Sequence, residues 1–430
     1  MRNSRYPAAF ALMLGYRLVR RSARSSAIVP AVPQPPRRIS SAAPGHRPAV
    51  HDCFAAVAPG LEAYALAEAV TLGLPATLAE GGGGVEWRGD LSSVLRANLG
   101  LRIASRVLVR VAAFEATSFA ALEREARRIT WAQVVPPGAT IRFRVTCRKS
   151  RLYHSDAVAQ RIAAAVLRAL PGVRLAAGAA PADDDDAPSG DDQLLVVRMF
   201  HDRCTVSADT SGALLHRRGW RLASARAPMR ETLAAGLLAA SGWDGTSPLV
   251  DPFCGSGTIP IEAALRARGV APGLGRAFAV ERWPALSRAA AARARVEIAA
   301  DIHPGHGTSI AGADRDAGAI ESSAANAERA GVAGDVAFAV RSISALALPE
   351  GPVGWIVANP PYGVRVGDAE RVRDLWARFG AVLRERGRGW TLALLSPDAA
   401  LERQLGIPLA VAAATTNGGI PVRIVVGRVP

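Results

Sequence analysis

Apolar and polar positions follow two different rules in the two halves of this chain. In the first half they alternate. In an extended reading of residues 141–151, Ile141, Phe143, Val145 and Cys147 take one face and Arg142, Arg144 and Thr146 the other, with Arg148, Lys149 and Arg151 at the tip. That predicts a half-buried strand with a basic exposed side. Residues 52–57 and 103–114 also read as strands, and 194–197 with 203–208 as a hairpin. Helical spacing marks 60–73 through Leu61, Tyr64, Ala65, Ala69 and Leu72. Further helices are predicted over 91–99 behind Asp90 as cap, over 119–129 behind Ser118, and over 155–170.

From about residue 225 the pattern changes to unbroken apolar blocks that stop abruptly. Leu249-Val250 stops at Asp251, 309–313 at Asp314, and 353–358 at Asn359-Pro360-Pro361-Tyr362; 336–340 is a further strand, with Ser342 two residues on. Helical segments follow, from Thr258 and over 317–330. Strands alternating with helices predict an open, mainly parallel sheet covered on both faces. Gly255 and Gly257 lack a Cβ, so the backbone after Asp251 can turn sharply and approach a ligand beyond the strand's carboxyl end. An acid such as Asp314, ending the second strand of a nucleotide-binding unit, can hold two ribose hydroxyls. Two prolines cannot donate to a ladder, so Asn359 and Tyr362 stand at a strand tip. One insertion, 268–306, contains Trp283.

Length and charge refine this picture. A chain of 430 residues implies two or three domains. The net charge of +15 points to a polyanionic partner, but nine arginines and no acid fall in residues 1–50, which leaves the rest only mildly basic. That segment is rich in Arg, Ser and Pro and is predicted to be disordered. A dispensable basic tail or a misassigned start is the favoured reading, with a transit peptide or a poorly formed secretory signal as alternatives. Four widely spaced cysteines, at 53, 147, 204 and 254, predict reduced thiols in a cytosol-like compartment and no structural zinc. Gly81 to Gly84 reads as a plain turn, since no Lys-Ser/Thr follows. Residues 182–192, with six aspartates, would repel phosphate. The run His216-Arg217-Arg218-Gly219-Trp220-Arg221 offers a clamp for a phosphate or a base, or else a structural segment with a charged side.

Asp251-Pro252-Phe253-Cys254-Gly255-Ser256-Gly257-Thr258 together with Asn359-Pro360-Pro361-Tyr362 resembles the class I S-adenosylmethionine-dependent amino-methyltransferases. From about His51 onward the chain is similar, more narrowly, to bacterial THUMP-domain enzymes that methylate the exocyclic N2 of guanine in 23S ribosomal RNA. The blocks Gly60-Leu61-Glu62, 98–106, 137–140, 209–212, 216–221, 230–235 and Asn417-Gly418-Gly419 carry that likeness. The resemblance implies a Rossmann-like class I methyltransferase domain preceded by a ferredoxin-like plus THUMP α+β module. The expected division is a basic extension over 1–50, a ferredoxin-like domain over 51–105, a THUMP domain over 106–210 and the catalytic domain over 211–430.

It further implies that S-adenosylmethionine is bound by Asp251, Phe253, Gly255, Ser256, Gly257, Thr258, Glu262, Asp314, Ser342 and Thr232. Relatives often carry an acid where Ser342 stands. Asn359 and the Pro360 carbonyl would accept the two amine hydrogens while Tyr362 stacks on the base. Arg142, Arg144, Arg148, Lys149, Arg151, Arg217 and Arg218 are the expected RNA contacts. No metal, membrane or obligate protein partner is implied, and the location is cytoplasmic. A tRNA guanine-N2 enzyme is the nearest alternative, then a DNA adenine-N6 methyltransferase or a non-catalytic RNA-binding adapter. A nicotinamide dehydrogenase is set aside, because Pro260 stands where a third glycine is needed. Deleting residues 1–50 is expected to leave methyl transfer to ribosomal RNA intact at moderate salt; a large loss would show that the extension grips substrate.

Overall fold

The alternating first half forms strands as its pattern requires, and the strands assemble into one sheet. The structure, a computed structural model, describes residues 49–176, 192–222, 229–305, 307–362 and 369–430. The predicted basic extension and nearly all of the acidic stretch 182–192 therefore lie outside the described residues. In chain order the first module contains β1 (His51–Ala56), α1 (Glu62–Thr71), β2 (Thr77–Leu78), β3 (Gly84–Gly89), α2 (Leu91–Gly100), β4 (Arg106–Glu115), α3 (Phe119–Ala126), β5 (Thr140–Arg148), α4 (Ser155–Ala169), β6 (Arg174–Leu175), β7 (Gln193–Phe200) and β8 (Arg203–Asp209). The sheet order is β2-β3-β1-β4-β8-β7-β5-β6. β4 begins beside the expected boundary at 105 and pairs antiparallel with β1 on one side and β8 on the other, so the boundary falls inside a continuous sheet.

The helix caps follow the sequence: Asp90 accepts the Ser93 amide and Ser118 the Ala121 amide. The strand expected from Ile103 starts three residues later. Its first amides are diverted, Arg102 N and Ile103 N donating to the Glu68 carboxylate of α1 at 2.8 and 3.2 Å. Burial raises the Glu68 carboxyl above the ordinary range.

The second half builds α5 (Glu231–Ala240), β9 (Leu249–Asp251), α6 (Thr258–Ala267), α7 (Arg288–Ala299), β10 (Ile310–Asp314), α8 (Ala317–Arg329), β11 (Val336–Val340), β12 (Trp355–Ala358), α9 (Ala369–Arg386), β13 (Thr391–Ser396), α10 (Ala399–Leu405), β14 (Ala410–Asn417) and β15 (Ile420–Arg428). Its sheet runs β11-β10-β9-β12-β13-β15-β14. The five strands from β11 to β13 are parallel, and β15 and β14 close the edge antiparallel. This is the class I methyltransferase order. The chain reverses direction of winding between β9 and β12, which opens a crevice at their carboxyl ends.

Buried polar contacts fasten the end of the first sheet and its exit toward the second half. Asn98 of α2 donates to Thr210 Oγ1 at 2.8 Å and accepts from Ser211 Oγ at 2.6 Å. Arg106 pairs with the buried Asp209, whose carboxyl burial raises and Arg106 partly lowers. Trp283, on the inserted segment, donates its indole N–H to Gln193 Oε1 at 2.8 Å. Gly60 brings the first module onto the last strands: its φ is +79°, and a Cβ there would lie 2.1 Å from the carbonyl oxygen of Ala414. Tyr64 Oη donates to Ala412 O beside it at 3.2 Å.

Gly60→Ala is therefore expected to destabilise the fold by about 2 kcal/mol, through strain and the clash with β14. An unchanged melting temperature would contradict this contact.

Candidate active site

Parallel pairing sets the site. β10 pairs with β9 from Ile310↔Leu249 to Gly312↔Asp251, and β12 with β9 through Trp355↔Leu249 and Ile356↔Val250. The tips carrying Asp314, Asp251 and Asn359 consequently emerge at one edge, on three neighbouring strands. At about 4.8 Å per strand, the two outer tips stand about 10 Å apart.

The loop after β9 closes against β10. Cys254 N donates to Ala313 O at 2.9 Å, and Gly255 N to Asp314 Oδ2 at 3.1 Å. Gly255 and Gly257 have φ of +53° and +84°, the left-handed region that glycine tolerates. A Cβ at Gly255 would project into open space, whereas one at Gly257 would press on Ile261, Ser323 and Phe338 at 3.1–3.2 Å. Thus Gly255 faces the crevice and Gly257 packs the loop down. Ser256 and Thr258 are buried, and Phe253 is half-buried, its ring edge-to-face with Phe379 at 5.1 Å.

Two residues of α8 that sequence reasoning missed hold this loop from behind. Ser323 Oγ donates to Gly255 O at 2.7 Å, and Asn326 Nδ2 to Ser256 O at 3.0 Å. Both side chains are fully buried. Their signal was polar residues at helical i, i+3 spacing where the helix should turn an apolar stripe to the sheet.

Asp251 is buried and accepts the Phe253 amide at 3.0 Å. Burial pushes its carboxyl well above the usual range, and Asp314 pushes it further. Two carboxylates at adjacent tips favour a cation, and S-adenosylmethionine carries both an ammonium and a sulfonium. The residues present fit that cofactor: Asp314 could hold the ribose hydroxyls, Asp251 could face a cationic group, and Gly255 leaves room for close approach of the backbone. Ser342 is exposed just beyond β11, and Thr232 is buried in the first turn of α5.

On the other side, Tyr362 Oη donates to Asn359 Oδ1 and accepts from Asn417 Nδ2 at 3.3 Å. Burial pushes the Tyr362 phenol up to about 12, so it stays protonated. Pro360 is buried, and the carbonyl of Pro361 accepts the Trp376 indole N–H at 3.2 Å.

Two expectations are corrected. Glu262 does not line the crevice. Its carboxylate is fully buried against Arg218 at 3.3 Å and Arg102 at 3.8 Å, joining α6 to the first module. Arg218 for the same reason is no RNA contact: it is buried, and it also donates to the carbonyls of Leu215 and Arg102, both at 2.6 Å. The run 216–221 is structural at His216, Arg218 and Trp220, which are buried, while Arg217 is exposed. Arg221 reaches the glycine loop itself, donating to Thr258 Oγ1 at 2.7 Å and pairing with Glu231 at 3.2 Å; burial raises that acid to about 7.

At the far end of the first sheet, Arg148, Lys149 and Arg151 are exposed together. Arg142 is half-buried and paired with Asp192 at 2.8 Å; Arg144 is also half-buried. Because β5 and β7 run parallel with Arg148 opposite Phe200, that end also presents Phe200, 39 % exposed, and Tyr153, 68 % exposed. Among the described residues no cluster of His, Cys, Asp and Glu is suited to a metal ion, and no helix is long and apolar enough to cross a membrane.

Comparison with known proteins agrees with this architecture. Residues 52–108 match the RlmL ferredoxin-like domain, 116–209 the THUMP domain and 218–421 the RMKL-like methyltransferase domain. A Synechocystis protein named "Putative RNA methyltransferase" is 31 % identical over 377 residues, 86 % of this chain and 94 % of its own. The ribosomal RNA large subunit methyltransferase K/L of Methylococcus capsulatus is 33 % identical over 397 residues; the match covers 88 % of this chain but 51 % of that protein. A solved structure, "SMU.472, a putative methyltransferase complexed with SAH", superposes with a TM-score of 0.77 at 26 % identity, covering 89 % of this chain and 98 % of that one.

Asp251 yields a pH prediction. A bound cation lowers its pKa from the raised value of the free protein, so binding expels a proton between those two values. Affinity for S-adenosylmethionine should therefore rise with pH across that window, and calorimetry in buffers of different ionisation enthalpy should register proton release. Affinity and heat that are independent of pH and buffer would contradict it.

Proposed function

Because the chain belongs to the methyltransferases that join a THUMP domain to an RMKL-like catalytic domain, we propose that it methylates the exocyclic N2 of a guanine in 23S ribosomal RNA, with S-adenosylmethionine as donor. The observation that carries this reading is the amide of Asn359 at the tip of β12, across β9 from Asp314.

The chemistry follows from the substrate. A guanine amine is a poor nucleophile because its lone pair is delocalised into the ring. Asn359 Oδ1 and the carbonyl of Pro360 accept its two hydrogens, which turns the lone pair toward the donor and stabilises positive charge growing on nitrogen. The cofactor supplies an electrophilic methyl group on sulfur. The protein's task is in-line positioning at about 3–3.5 Å. The base must leave any helix to reach the crevice, and the Tyr362 ring provides a face for it. The sulfur leaves as S-adenosylhomocysteine, and the methylated nitrogen, strongly acidic while cationic, loses its surplus proton to water, so the mechanism calls on no strong base.

The basic, aromatic end of the first sheet supports an RNA substrate. Cations grip phosphates regardless of sequence while exposed rings stack unpaired bases. Arg148, Lys149 and Arg151, with Arg144 and Arg217, are the proposed contacts. Free thiols at all four cysteines accord with a cytoplasmic location.

Asn359→Ala should lower turnover by about 100-fold or more while cofactor affinity changes little. Asp314→Ala should weaken S-adenosylmethionine binding by about 10- to 100-fold. Nucleoside mass spectrometry of 23S ribosomal RNA and tRNA, with and without the gene, identifies the product: loss of 2-methylguanosine from 23S RNA supports the proposal. Loss from tRNA alone, loss of a methyladenine, or no change would overturn it.

A further inference from the structure

The last two strands bring a second asparagine to the site. Asn417 ends β14, and the turn into β15 runs through Gly418 and Gly419, whose φ of +57° and +84° only glycine adopts easily. That tight turn holds Asn417 opposite Ile420 in the ladder, so its side chain has little freedom along the strand. From there its Nδ2 donates to Tyr362 Oη at 3.3 Å, and Tyr362 Oη donates to Asn359 Oδ1. The three residues are 55 and 3 positions apart in sequence, and all are partly buried.

A phenol has one proton to donate. When its oxygen accepts from Asn417, that proton is directed at Asn359, and only the oxygen end of the Asn359 amide can receive it. An amide oxygen has two lone pairs: Tyr362 occupies one, and the other remains for a substrate amine. Were the amide turned over, its NH2 group would meet the substrate NH2, donor against donor.

We propose that Asn417 is a positioning residue for methyl transfer: through the hydroxyl of Tyr362 it fixes which end of the Asn359 amide faces the substrate. This rests on the assignment of Asn359 as acceptor for the target amine. The hairpin of β14 and β15 thereby contributes to the reaction through Tyr362.

A double-mutant cycle with methyl transfer to 23S ribosomal RNA as readout tests the coupling. Asn417→Ala should lower kcat by about five- to tenfold, the effect of one hydrogen bond, with KM for S-adenosylmethionine unchanged. In a Tyr362→Phe background, where no hydroxyl remains to be steered, the same substitution should change kcat by less than about twofold. Asn417→Asp adds a readout that a packing role would not move. An ionised carboxylate accepts the phenol's proton and draws it away from Asn359, whereas the neutral acid can donate as the amide does. Activity of Asn417→Asp should therefore fall as pH rises through ionisation of that carboxyl, a descent absent from the parent enzyme. Equal losses in both backgrounds, wild-type kcat for Asn417→Ala, or a pH profile for Asn417→Asp that parallels the parent would each overturn the proposal. Cofactor affinity of every variant reports whether it is folded. Asn359→Ala, assayed alongside, separates the two levels: if it turns over normally the acceptor assignment itself falls, and if it is inactive while the cycle is additive only the role of Asn417 falls.

Discussion

The site depends on β9 being hydrogen-bonded in parallel to β10 on one side and to β12 on the other. Strands so paired must end at the same edge, and residues 251, 314 and 359 meet there although more than a hundred residues separate the first from the last. The two functions of the crevice are thereby kept on opposite sides of one strand. Acids lie toward β10, on the side proposed to hold the cofactor, and a neutral amide lies toward β12, on the side proposed to orient the amine. A carboxylate in place of Asn359 would add a third acid beside Asp251, whose carboxyl is already pushed upward by burial and by Asp314.

The first module does more than precede this domain. Glu262 on the helix that follows the glycine loop is paired with Arg102 of the first module and Arg218 of the connection, while Arg221 holds Thr258 at the start of that helix. Buried ion pairs lose heavily when one partner is removed, so the junction tolerates little sliding. Arg276 reinforces it with bonds to the carbonyls of Leu214, Arg217 and Ser211; burial and neighbouring arginines depress it to about 10. The first module, the connection after β8 and the start of α6 are thus held together by one set of buried contacts.

Much of this was legible in the sequence where local rules dominate. Alternation at 141–147 marked β5, Asp90 and Ser118 marked their helices, and abrupt ends at Asp251, Asp314 and Asn359 marked the parallel strands. What escaped was set by partners distant in the chain. Glu262 was expected at the cofactor through the resemblance, and Arg102 and Arg218 instead hold it in the interior. Arg218 sits in a basic run that reads as surface, yet two carbonyls and one carboxylate are waiting for it in the interior. Ser323, Asn326 and Asn417 each act on a loop 55 to 70 positions away, a relation that no local pattern encodes.

The most direct test is a structure of the protein with S-adenosylhomocysteine and a guanine nucleotide. The adenosine should lie along the tips of β9 and β10 with its ribose on Asp314. The guanine N2 should lie within hydrogen-bond reach of Asn359 Oδ1 and in line with the sulfur. A cofactor bound elsewhere, or an Asn359 amide turned away from the base, would contradict the account.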